Sequence, residues 1–140
     1  MPVIAQLFAV VAALLHVWFF VMESVLWRRP AVWARFRLGS QADADVTAQL
    51  AFNQGFYNLF LALGALGGVW LARTSGDGSV GQAIALFACA CMVGAGVVLV
   101  ASDRRFLPAA LLQAVPPAVA ILTAVLFAAS LEITDLATGG

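Results

Sequence analysis

Apolar residues fall in four long runs along the chain, each broken by only a few polar positions. The first extends from about Val3 to Trp27, interrupted by Gln6, His16, Glu23 and Ser24. The second, from about Gln49 to Ala72, carries the hexapeptide Asn53-Gln54-Gly55-Phe56-Tyr57-Asn58. The third, about Gly81 to Ala101, holds no ionisable group beyond Cys89 and Cys91. The fourth runs from about Phe106 to Leu131, with Gln113, Pro116 and Pro117 inside it. About 20 helical residues cross the hydrocarbon of a bilayer, so each run predicts a transmembrane helix. The pattern is that of an all-α, polytopic transmembrane four-helix bundle, with residues 1–140 as one domain.

The connections are read from their turn and interface residues. Residues 28–48 form the longest one, where Val32, Trp33, Phe36 and Leu38 alternate with arginines. That mixture predicts a short interfacial helix between spans one and two. Trp27 and Trp33 suit an interfacial belt, and Asp43 or Asp45 is expected to cap the second helix. Arg73 to Val80 is a short connection rich in turn residues, Ser102 to Arg105 is a tight turn, and Glu132 to Gly140 reads as a polar, frayed tail. Nothing basic precedes the first run, which is also too long for a signal segment. It is expected to stay as a span.

Composition agrees with this frame. The 140 residues are 64% hydrophobic and 10% charged, with mean hydropathy +1.01. Seven acids and seven arginines cannot cover a soluble surface. Net charge is zero and lysine is absent, which removes a nucleic-acid footprint. Cys89 and Cys91 point to different helix faces, so small packing residues are expected rather than a disulfide. Six of the seven arginines lie in connections one and three. The positive-inside rule then places those connections in the cytoplasm and both termini outside a cell inner membrane.

Topology converts sequence position into depth. His16 is expected near mid-bilayer, and Glu23 two turns on, about 10 Å nearer the cytoplasmic end of span one. Asn53, Gln54, Tyr57 and Asn58 fall in the cytoplasmic half of span two. Gln113 lies at similar depth in span four, beside backbone carbonyls that Pro116 and Pro117 leave without donors. Polar groups facing lipid are costly, so these seven residues are expected to face one another in a polar pocket open to the cytoplasm. A small apolar or amphipathic ligand is the partner such a pocket suggests. Proton-coupled binding or transport is the leading expectation, with Glu23 as the exchanging group. Gly64 and Gly68 offer a homodimer surface. An isomerase-like enzyme acting on a lipid-soluble molecule is the first rival. The second is a structural subunit in which the carboxamides are interhelical glue and Glu23 pairs with Arg28 or Arg29. One carboxylate and one histidine in the bilayer are too few for a zinc or dinuclear metal site, and no cofactor is expected.

The helix-one histidine, Glu23-x-x-x-Trp27, the hexapeptide Asn53 to Asn58, and Gln113 with Pro116 form a further pattern. It resembles the small bacterial membrane proteins grouped as domain-of-unknown-function family 1304. The resemblance covers nearly the whole chain. It departs at Gln113-Ala114-Val115-Pro116-Pro117, where the family often has Gln-Gly-x-Pro-Ala. It implies a four-helix membrane protein and no particular reaction.

Overall fold

The computed structural model describes residues 1–138, which are helical apart from the first two residues and the short connections. Four helices are long and apolar enough to cross a membrane: Val3–Val25, Gln41–Thr74, Ser79–Ser102 and Arg104–Thr138. We label the elements α1 (Val3–Phe20, continued by a π-helical turn at Val21–Val25), α2 (Pro30–Trp33), α3 (Gln41–Thr74), α4 (Ser79–Ser102) and α5 (Leu107–Thr138). α1 packs on α3 and α5, α4 packs on the same two, and the α1–α4 diagonal is slight. The four long helices therefore form a ring, and the chain is an all-α, multi-pass membrane protein.

Alanine fills most of the ring's interior. Ala12, Ala13, Ala62, Ala65 and Ala88 cluster around Met92. In lipid there is little hydrophobic gain in bringing two helices together, so close van der Waals contact and hydrogen bonds must hold them. Small side chains permit that approach. At Gly68 a Cβ would stand 2.8 Å from both the Ala85 Cα and the Gly81 carbonyl oxygen. α3 and α4 thus meet backbone to backbone, and Gly68 of the Gly64/Gly68 pair is spent inside the monomer.

Several local expectations change. α3 begins eight residues before the apolar run does, because Ser40 caps it. The Ser40 hydroxyl accepts from the Asp43 N–H at 3.1 Å and donates to the Asp43 carboxylate at 2.8 Å. Asp43 is therefore the third residue of the capping arrangement, not the cap. Trp27 does not face an interfacial belt. It is buried against Met22, Val32 and Ala51, its ring edge meets Phe36, and its indole N–H donates to the Ala44 carbonyl at 2.8 Å. The connecting helix is only four residues long and turns Val32 inward beneath the start of α3. At the same end the Arg37 guanidinium donates to the Arg105 carbonyl and lies over the Phe106 ring, tying the two arginine-rich connections together.

α5 runs through Pro116 and Pro117 without a break, with Pro117 fully buried. The tail expected to fray is helical through Thr138; Gly139 and Gly140 lie outside the described residues. Beyond Ala124 every described residue of α5 is exposed.

Candidate functional site

The site is built where α1 stops being a regular helix. α-Helical bonding ends at Phe20, and the next five residues widen into a π-helical turn. Single π turns inside α-helices leave one residue more than the usual register and are frequent at functional sites. Here the turn carries Met22 and Glu23 inward against α3. Gly55 makes the approach possible. A Cβ on it would run into the Ser24 hydroxyl and stand 3.1 Å from the Ser24 nitrogen and 3.2 Å from the Glu23 Cβ. The Ser24 hydroxyl donates to the Phe52 carbonyl at 2.9 Å, pinning the turn one helical turn before Gly55. One turn after it, the Asn58 side-chain N–H₂ donates to the Glu23 carboxylate at 2.8 Å. Glu23 and Asn58 are both buried. None of the arginines forms an ion pair with Glu23 among the described residues, so pairing with Arg28 or Arg29 is replaced by the Asn58 bond.

Glu23 also lines two grooves, one on each side of the contact between the π turn and α3. The smaller, about 360 Å³, adds Ser24, Arg28, Gln49 and Phe52. The larger, about 430 Å³, runs beneath Trp27, Phe36 and Leu38 and is bordered by Thr47, Asn53 and Gln54. Both fall within the range that a small organic ligand fills. The walls of the larger are mostly apolar, those of the smaller mixed, and the Glu23 carboxylate is common to both.

The other expected residues do not all converge. His16 is 1% exposed, in the alanine-rich interior. Its Nδ1 lies 2.8 Å from the Ala12 carbonyl. A carbonyl only accepts, so Nδ1 carries the proton and the neutral ring's Nε2 is an acceptor. Nε2 is buried and meets no partner among the described residues. His16 lines neither groove. Gln113 is half-buried and donates to the Met92 carbonyl at 3.4 Å, joining α5 to α4 instead of the Glu23 site.

Asn53, Gln54 and Tyr57 are exposed on the outer side of α3, with Tyr57 at 57%. The expected convergence fails for them for a geometric reason. The inward stripe of α3 is Ala51, Gly55, Asn58, Ala62 and Ala65, at spacings of three and four. That choice turns Asn58 in, and Asn53 and Tyr57 out. Ser24 and Gly55 are the site-forming residues that sequence reasoning passed over. The signal was present: Gly55 sits in a stripe of small residues, which is where helices touch in lipid. No three His, Cys, Asp or Glu side chains come together as a metal-holding group among the described residues.

No curated protein and no solved structure matches the chain. The family model described as protein of unknown function (DUF1304) matches residues 10–125, a stretch that includes both sides of the Glu23 contact. That match takes in well over half of the sequence, and the chain belongs to the DUF1304 family.

Proposed function

We propose that this protein binds a small amphipathic molecule that reaches Glu23 sideways from the membrane, along the larger groove beside α3. The observation that carries this reading is Glu23 itself. It is a buried carboxylate held by one carboxamide, paired with no arginine among the described residues, and it lines two grooves. Structural glue alone would use an uncharged pair, since a buried carboxylate is expensive unless something compensates it. A protonated amine or a hydroxyl at the ligand's polar end supplies that compensation, while Trp27, Phe36 and Leu38 cover its apolar body. Binding is favoured over transport because Gly68 is closed against the α4 backbone and Gly64 packs on Ala88, which leaves little of the outward path that these glycines were to mark. The membrane is taken to be a cell inner membrane, with the arginine-rich end in the cytoplasm by the positive-inside rule.

Native mass spectrometry of the full chain, extracted gently from its own membrane, tests this. The parent is expected to carry a discrete adduct that is lost in Glu23→Gln and in Thr47→Phe, which adds bulk to the wall of the larger groove and leaves the Glu23 residue unchanged. A parent with no adduct, or an adduct equally present in all three, would refute the reading.

A further inference from the structure

The exposed side of α3 has its own order. Starting at Val46, the outward positions are Leu50, Asn53, Tyr57 and Phe60, alternating steps of four and three. The same steps continue to Gly67, where an added Cβ would meet nothing within 4 Å, while Gly64, between Phe60 and Gly67, turns towards Ala88 of α4. A stripe with this 3.5-residue period is the seam of a parallel coiled coil. It runs opposite the inward stripe that packs on α1 and α4, and from Val46 to Phe60 its residues are exposed among the described residues.

The chemistry of the seam is inverted for a monomer in a bilayer. Counting about 20 residues back from Trp70 at the far edge sets the hydrocarbon boundary near Ala51. On the polar side of it Val46 and Leu50 are 83% and 73% exposed. On the lipid side Asn53 and Tyr57 are exposed and make no hydrogen bond among the described residues. Apolar side chains thus stand where water would solvate, and polar ones where lipid offers no partner. Neither solvent suits this stripe, but one protein surface along its length suits both halves.

We infer that the occupant is a second copy of this chain, docked α3 to α3 about a twofold axis along the membrane normal. Copies inserted in one orientation present parallel helices, so each seam residue meets its own counterpart. The seam's polar groups are self-complementary in that arrangement. A carboxamide is both donor and acceptor, and so is a phenolic hydroxyl, so Asn53 can pair with Asn53 and Tyr57 with Tyr57. A single asparagine in an apolar seam fixes register and strand number. Gly67 leaves room for close approach further along. The dimer needs no ligand at Glu23, although Leu50 and Asn53 of the seam also line the rim of the larger groove.

Oxidative cross-linking in native membranes tests it, in a full chain carrying Cys89→Ala and Cys91→Ala. Single cysteines at Val46→Cys and Phe60→Cys, which leave Asn53 and Tyr57 in place, are expected to form disulfide dimers at least roughly tenfold faster than Leu63→Cys, which is exposed but off the seam. In the otherwise unaltered chain, Asn53→Leu is expected to weaken self-association roughly tenfold, and Asn53→Gln to keep it. Cross-linking at Leu63→Cys as fast as at the seam would overturn the proposal. So would monomer alone at both seam positions, or capture there of a different polypeptide. Loss of the mass adduct with this pattern intact would count against ligand binding only.

Discussion

Replacing Gly55 by alanine opposes two effects of known size. On an ordinary helix the change stabilises by about 1 kcal/mol, because glycine is the poorer helix former. At this position the new methyl enters the space held by the Ser24 hydroxyl, and stands 3.1 Å from the Ser24 nitrogen and 3.2 Å from the Glu23 Cβ. The hydroxyl can rotate away only by giving up its bond to the Phe52 carbonyl, worth about 1 kcal/mol. The two remaining contacts are with backbone and Cβ, which yield only if α1 moves off α3. Overpacking of this kind costs about 1–3 kcal/mol. The balance is a net loss of between about 1 and 3 kcal/mol. Thermal unfolding in one fixed detergent, with Ser24→Ala as the second arm of a double-mutant cycle, reads it directly. Ser24→Ala removes the atom that the methyl strikes, so Gly55→Ala is expected to cost clearly less in that background. Were Gly55→Ala stabilising by its full propensity in both backgrounds, the π turn would not be packed on α3 at Gly55. The geometry given to Glu23 would fall with it.

Other expectations follow from the same packing. Gly68→Ala is expected to destabilise by about 2 kcal/mol or more, since its methyl meets the Ala85 backbone, while Gly94→Ala, with open space around it, gains up to about 1 kcal/mol. Thermal unfolding distinguishes the two. Trp27→Phe keeps the ring against Phe36 but loses the N–H bond to Ala44, and is expected to lower stability by about 0.5–1.5 kcal/mol. Asp103 is held below its ordinary 3.8 by the side chain and then the backbone N–H of Arg105. Its folded value is depressed, so its contribution is complete at neutral pH and fades as pH falls through that value. The stability gap between the parent and Asp103→Asn should accordingly close below pH 3.8 in a pH series of unfolding curves. His16→Leu removes an acceptor that lacks a donor, so in detergent it should unfold within about 1 kcal/mol of the parent. A loss above about 3 kcal/mol would mean that a donor meets Nε2.

How far the fold was legible depends on what each signal responds to. The four spans were readable because lipid selects long apolar runs and nothing else in the chain resembles them. The start of α3 was not, because Gln41 to Gln49 are helical through the Ser40 cap and packing on Trp27, and no apolar run marks them. The π turn at Val21–Val25 was hidden for a different reason. It depends on which residue of another helix the turn leans against, and the spacing of His16 and Glu23 in sequence is the same with or without it.

The orientation of the hexapeptide shows where the usual reasoning loses its hold. In water a helix announces its inner face by hydrophobicity, because the outer face must be polar. In lipid both faces are apolar, so Asn53 and Asn58 carried equal weight as inward candidates. What distinguishes the inner face there is size. Ala51, Gly55, Ala62, Ala65 and Gly68 form the small-residue stripe of α3, and Asn58 lies on it while Asn53 and Tyr57 do not. By that criterion Glu23 should have been paired with Asn58 alone. The outward carboxamide and tyrosine then need an explanation of their own. Their 3.5-residue spacing with Val46, Leu50 and Phe60 gives it: α3 carries two seams. One is made of small residues and closes the monomer around Glu23, and the other, made of large and polar residues, is the one we propose meets a second copy.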